Sequence, residues 1–184
     1  RRDIDVLGGY TRSFTIYDSA DSERVMKNIL KDLDMDEKTF PPKYVLAAIS
    51  KEKDKQVSPR QMRAEAEESG NLKAKYISGA YEKYQAQLRE NNALDFDDII
   101  CLTVELLQKH EDVRRYYQQK FRYLLVDEYQ DTNHMQYLLT ALLAGGRENI
   151  CVVGDDDQSI YRFRGATIEN ILDFEKQYPR CRTI

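Results

Sequence analysis

Apolar positions recur along this chain at two different spacings, and the change from one to the other divides it. Phe14-Thr15-Ile16-Tyr17 alternates as a short strand or extended segment does, and Asp18-Ser19 behind it offers a helix N-cap. Val25, Met26, Ile29, Leu30 and Leu33 then fall at helical spacing and predict one amphipathic helix. Pro41-Pro42 marks a second helix start with Val45, Ala48 and Ile49 on one face, and the charged run from Lys51 to Lys55 reads as its solvated end or a loop. Ser58-Pro59-Arg60-Gln61 supplies a cap, a Pro at the first helical position and a Gln able to close a capping box, in a helix that ends near Gly70. From Leu72 onward Tyr76, Ala80, Tyr84 and Leu88 repeat every fourth residue, predicting a long helix stopped by Asn91-Asn92. Core packing explains that stripe; the other reading is that some of its tyrosines stack on nucleic-acid bases.

After Asn92 the pattern changes. Asp95 can cap a helix whose inner face carries Ile99, Thr103, Leu106 and Leu107, and a short helical piece from Glu111 to Gln119 follows. The Asp-rich start at Asp95, Asp97 and Asp98 is favourable through capping and the helix dipole without any further role. Phe121 to Val126 is a continuous apolar and aromatic run ending at Asp127, which predicts a strand buried on both faces. Met135, Leu138, Leu139, Leu142 and Leu143 form a helix closed by Gly145-Gly146, and Ile150 to Val153 is a second buried strand ending at Gly154-Asp155. Strand, helix, strand implies a parallel crossover. A further helix is expected from Thr167 to Gln177, and a third strand beginning at Arg182.

Composition narrows the class. With 41% hydrophobic and 33% charged residues in 184, the chain has enough apolar material for a folded core. No segment approaches the ~20 apolar residues of a membrane span, and the first residues lack the apolar core of an export signal, so a cytoplasmic protein is expected. A formal net charge of -4 excludes a generally basic nucleic-acid binder, leaving any DNA contact local. Cys101, Cys151 and Cys181 form no CxxC pair and read as buried small hydrophobes, while His110 and His134 lie in no ligand-spaced cluster.

Ligands of open parallel sheets bind beyond the carboxyl ends of the strands, and both strands here end in acids: Asp127-Glu128, and Asp155-Asp156-Asp157. A strand that delivers Asp then Glu suits nucleotide hydrolysis, with the Asp holding hydrated Mg²⁺ and the Glu orienting or deprotonating the attacking water. Solvated strand-end acids are common, so the longer strings matter more. Leu124-Leu125-Val126-Asp127-Glu128-Tyr129-Gln130-Asp131-Thr132 resembles motif II of the UvrD/PcrA/Rep helicases. Gly154-Asp155-Asp156-Asp157-Gln158-Ser159-Ile160-Tyr161-Arg162-Phe163-Arg164-Gly165-Ala166 resembles their motif III, and Leu94-Asp95-Phe96-Asp97-Asp98 resembles the segment returning from their helical insertion into the first motor domain. The resemblance runs from Arg1 to Ile184.

The resemblance implies an α/β fold: a partial RecA-like parallel sheet of the P-loop NTPase type with an all-helical insertion subdomain. Residues 1–21 would be an extended segment of the motor domain, 22–92 the DNA-binding helical insertion, and 93–184 the C-terminal half of the first motor domain. It further implies Asp127 and Glu128 as the Mg²⁺-associated carboxylates, with Glu128 the catalytic base, Gln130 and Asp131 as support for the nucleotide site, and Gln158 on the γ-phosphate or its water. Tyr161, Phe163 and Arg164 would lie toward single-stranded DNA, where aromatic faces stack without sequence preference and a guanidinium pairs with phosphate. Phe163 departs from the Trp common in the family, which implies a weaker grip. ATP and Mg²⁺ are the implied cofactors, and single-stranded and duplex DNA the implied partners.

A P-loop needs Gly-x-x-x-x-Gly-Lys followed by Ser or Thr, and the chain holds no Gly-Lys dipeptide. Together with the missing initiator Met, this predicts an internal piece of a longer helicase, inactive by itself and completed by the P-loop half and the second motor domain, with its exposed sheet edge open to self-association. Two other functions fit parts of the sequence. A two-metal nuclease built on Asp127, Glu128 and Asp155 to Asp157 would cleave DNA without ATP. A noncatalytic docking module centred on residues 22–92 would lose DNA or protein affinity when that unit is removed.

Overall fold

A computed structural model describes residues 1–155, 174–182 and 184. It divides the chain into two compact units, 1–102 and 103–184. In the first unit the parallel pair β1 (Thr15–Ile16) and β2 (Ala93–Leu94) sits beside the helices α1 (Ser19–Asp32), α2 (Pro42–Asp54), α3 (Pro59–Glu68) and α4 (Leu72–Glu90). The helix α5 (Phe96–Lys109) begins there. The amphipathic spacing read from the sequence places Met26, Leu30, Val45, Ile49, Tyr84 and Leu88 in one core, where α1, α2 and α3 all pack on α4. Each such side chain contributes roughly 1.5–3 kcal/mol on burial. A smaller cluster of Ile4, Tyr10, Phe14 and Leu94 covers the strand pair.

Helix starts follow the local chemistry. The Asp18 carboxylate accepts the Asp21 N–H at 2.8 Å, and the Asn71 side chain accepts that of Ala74 at 3.0 Å. At α3, Ser58 Oγ accepts the Gln61 N–H at 3.3 Å while Gln61 Oε1 accepts the Ser58 N–H at 2.8 Å. This reciprocal box satisfies two otherwise orphaned N–H groups. Ser58→Ala is expected to lower stability by about 1 kcal/mol, read as a drop in the urea midpoint at unchanged slope. Beyond α3, Gly70 takes φ +67°, which glycine adopts without side-chain strain.

The charged run at the end of α2 departs from its expected role. The helix continues through it to Asp54, and Lys53 is 4% exposed. Its Nζ lies 2.7 Å from Asp95 Oδ2 and 2.8 Å from Asp98 Oδ1. Tyr84 OH donates to Asp95 Oδ2 at 3.1 Å, Gln85 Nε2 donates to Asp98 Oδ1 at 3.1 Å, and Asp95 Oδ1 accepts the Asp98 N–H at 2.8 Å. The Asp-rich start of α5 therefore caps its helix and also ties α5 to α2 and α4. Tyr76, at the outer end of the tyrosine stripe, is 58% exposed, whereas Tyr84 is fully buried.

In the second unit α6 (Glu111–Lys120), β3 (Leu124–Val126), α7 (His134–Ala144), β4 (Ile150–Val152) and the short α8 (Phe174–Gln177) follow the expected order. β3 and β4 pair in parallel, with Leu124, Leu125 and Val126 opposite Ile150, Cys151 and Val152. Asn133 and Gln136 form a second capping box at the start of α7. The expectation of strands buried on both faces is not met among the described residues. Leu125 is 81% exposed, and Tyr123, Cys151 and Val153 are exposed as well. Side chains alternate across a strand, so register partners Leu125 and Cys151 share the face that α7 does not cover. Cys181 is also exposed and Cys101 half-buried, so the three thiols are not the buried hydrophobes expected. No strand is assigned at Arg182 or Ile184, and the start of the helix expected from Thr167 lies outside the described residues. Among the described residues no helix is long and apolar enough to cross a membrane.

Candidate nucleotide-hydrolysis site

The strand β3 ends by delivering Asp127, and the chain then turns sharply. Glu128 takes φ +50°, in the left-handed region that a non-glycine residue adopts at a cost, and Tyr129–Asp131 follow as a single 3-10 turn. Backbone bonds hold this turn against β4. The Tyr129 N–H donates to Val153 O at 2.9 Å, and the Val153 N–H donates to Val126 O at 2.8 Å. Thr132 Oγ1 donates to Tyr129 O at 2.6 Å and closes the turn from its far side.

Side chains sort by this geometry. Asp127 and Glu128 are exposed at the carboxyl end of β3, and an Asp127 carboxylate oxygen accepts the Glu128 N–H at 2.9 Å. Tyr129 points inward, 1% exposed, edge-on to Phe174 with ring centroids 5.8 Å apart. Burial pushes its hydroxyl up to about 12, with Tyr178 and Tyr137 adding to the effect. Gln130 is buried and spans the two strand ends: Nε2 donates to Glu128 Oε2 at 2.7 Å, and Oε1 accepts the Asp155 N–H at 3.0 Å. Asp131 is exposed, with its N–H donated to Glu128 O at 2.9 Å.

Asp127, Glu128, Gln130, Asp131 and Asp155 thus gather around the ends of one parallel strand pair. Gln158, Tyr161, Phe163 and Arg164 lie outside the described residues, as do Asp156 and Asp157. Two adjacent exposed carboxylates, one oriented by a backbone N–H, suit Mg²⁺, which keeps several waters and takes only one or two protein carboxylates. Among the described residues no three His, Cys, Asp or Glu side chains gather into a metal cage. Gln130 was expected only to support the site; its two hydrogen bonds, to Glu128 and from the Asp155 N–H, depend on the turn that follows β3. Lys53 was expected to be solvated with the rest of the Lys51–Lys55 run, although Val45, Ile49 and Lys53 share one four-residue spacing.

Residues 1–179 match the model of the UvrD/REP helicase N-terminal domain. A Staphylococcus aureus (strain NCTC 8325 / PS 47) protein named ATP-dependent DNA helicase PcrA is 47% identical over 184 residues, covering 100% of this chain and 25% of its own length. A Mycobacterium tuberculosis (strain CDC 1551 / Oshkosh) protein named ATP-dependent DNA helicase UvrD1 is 45% identical over 191 residues, again covering 100% of this chain and 25% of its own length. The chain spans about a quarter of the length of these curated relatives.

Proposed function

The chain belongs to the UvrD/REP helicase N-terminal domain family, and from that membership we propose that it is part of an ATP-dependent motor that moves along single-stranded DNA, 3′ to 5′, and unwinds duplex DNA in repair or replication. Residues 93–184 and 1–21 belong to a RecA-like motor domain and residues 22–92 to its helical insertion. The observation that carries the reading is the parallel pair β3–β4 with Asp127 and Glu128 at its carboxyl end, in a chain that matches the family over residues 1–179.

In this reading Asp127 would hold the hydration shell of Mg²⁺, and the bound ion would supply charge neutralisation at the nucleotide phosphates. Glu128 orients the attacking water and accepts its proton as the oxygen bonds to the γ-phosphorus and the bond to ADP breaks. Gln130 and Asp131 support the nucleotide site, and Gln158 faces the γ-phosphate. Tyr161, Phe163 and Arg164 contact the DNA strand. The chain has no Gly-Lys dipeptide, so the phosphate-cradling loop comes from another part of the cytoplasmic protein, and the 184 residues alone do not hydrolyse ATP. The face bearing Leu125 and Cys151 is exposed, which supports its being covered by the rest of the motor domain; the isolated chain would self-associate instead.

Steady-state ATP hydrolysis by the full-length protein, with and without an oligo-dT strand, tests this function. Strong stimulation by DNA is expected, and its absence would reject the motor. Tyr161→Ala and Phe163→Ala should each weaken oligo-dT binding, by roughly 1–3 kcal/mol per lost stacking contact, and abolish most of the stimulation while sparing basal hydrolysis. Undiminished stimulation in both variants would remove these side chains from the DNA path.

A further inference from the structure

We propose that Tyr44, Lys73 and Tyr76 form a platform on the helical unit that stacks unpaired bases of a single DNA strand, separate from the strand contacts of the motor. The inference rests on the reading that the protein acts on DNA. Tyr44 on α2 and Tyr76 on α4 are 45% and 58% exposed, although each precedes a core residue, Val45 and Ile77, that fixes its backbone. Phe40 links them. It packs on the core, its ring is tilted against that of Tyr76 with centroids 5.9 Å apart, and the Lys73 ammonium lies 5.9 Å from its centre and 4.3 Å from that of Tyr44. The turn before Phe40 is fixed as well: the Thr39 N–H and hydroxyl donate to Asp36 Oδ2 at 3.1 and 2.8 Å, and the Phe40 N–H donates to Asp36 O at 2.9 Å. A ligand therefore meets rings that are already ordered, which lowers the cost of binding.

The lysines beside the two tyrosines are already paired, Lys43 with Glu23 at 3.8 Å and Lys75 with Glu67 at 3.0 Å. Among the described residues Lys73 forms no ion pair; its companion is a ring face, and its three N–H donors can still turn to an anion. Flat apolar faces around one cation match the repeat of a single strand, base and phosphate, and stacking needs no particular sequence. The net charge of -4 is no obstacle, since the rings supply most of the attraction and only one phosphate is neutralised. Duplex DNA fits less well, because its bases are stacked on one another. A protein partner also fits less well, since three side chains fall far short of the roughly 800 Å² per partner of a stable interface.

Photo-cross-linking of the full-length protein, without ATP, to an oligo-dT strand carrying iododeoxyuridine tests the platform. Irradiation should label Tyr44 or Tyr76, located by peptide mass, and the same strand annealed into a blunt duplex should label neither. Tyr44→Ala combined with Tyr76→Ala should weaken oligo-dT binding about tenfold to a hundredfold at an unchanged melting temperature. Tyr44→Phe with Tyr76→Phe should bind like wild type, because a phenyl ring stacks as a phenol does. Lys73→Gln should flatten the slope of log affinity against log salt by about 0.7. If the label falls only elsewhere on the chain, the double alanine variant binds like wild type and oligo-dT still stimulates ATP hydrolysis, the platform is overturned and the motor stands. Equal labelling of the tyrosines by duplex and single strand would overturn base stacking. Alanine variants that change the oligomeric state but not oligo-dT binding would overturn it too, and assign the patch to a protein partner. Label at Tyr44 or Tyr76 without stimulated hydrolysis would keep the platform and reject the motor; neither label nor stimulation would reject both.

Discussion

Glu128→Gln in the full-length protein leaves ATP binding intact and lowers the rate of hydrolysis by roughly 10²–10⁴-fold. The carboxamide has nearly the shape of the carboxylate and meets the same left-handed backbone at φ +50°, so the turn from Asp127 to Thr132 should survive. It cannot accept a proton from water at neutral pH. The bond from Gln130 Nε2, 2.7 Å in the wild type, also becomes neutral and weaker. Binding and chemistry therefore separate: equilibrium titration with ATP should give an affinity within a few-fold of wild type, whereas single-turnover hydrolysis should be nearly silent with or without DNA. Turnover within about tenfold of wild type would show that Glu128 is not the base and that a different group activates the water.

The second large effect is on stability. Lys53→Met is expected to destabilise the first unit by about 3–5 kcal/mol, because it strands Asp95 and Asp98 around a position where the cation was almost wholly enclosed. Loss of packing explains little of this, since Met fills most of the space of the lysine stem. Burial alone would pull the Lys53 pKa down, but the charges of Asp98 and Asp95 outweigh it and the net shift is upward. A lysine raised in the folded state contributes stability that is complete below its unfolded value and is lost only as pH rises through the folded one. The contribution is therefore fully present at neutral pH. Burial raises Asp98, with Lys53 opposing and Asp95 adding to the rise. In the variant the stranded Asp98, already raised by burial, takes up a proton as pH falls, so the penalty should shrink at acid pH. Urea unfolding of the 184-residue chain at neutral and acid pH measures both effects. Lys53→Met with Asp98→Asn should recover part of the loss. A neutral-pH loss under about 1 kcal/mol would show that the triad is dispensable.

Much of the fold was legible because its determinants are local. Apolar side chains at helical spacing foretold α1 and α4, and the capping box at Ser58 and Gln61 needed only four consecutive residues. What misled was context. Phe121 to Val126 is apolar enough for a strand covered on both sides, yet only three of its residues form β3 and Leu125 stands exposed. Charge misled in the opposite direction at Lys53, whose neighbours Lys51, Glu52 and Lys55 do not share its buried face. The spacing Val45, Ile49, Lys53 marked that face, but a lysine is read as solvated unless its counter-charges are known, and these lie 42 and more residues away.

By itself, then, the sequence determined the order of helices and strands, the caps, and the pair of acids at the end of β3, since each depends on neighbours within a turn or two of chain. It also carried the strings by which the family is recognised. Only the tertiary structure decided which carboxylates enclose Lys53, which face of β3 and β4 is covered, and that Gln130 joins Glu128 to Asp155. Those are pairings between segments far apart in sequence. Their energies arise when burial removes water from groups that must then find each other, and no local pattern records the partner.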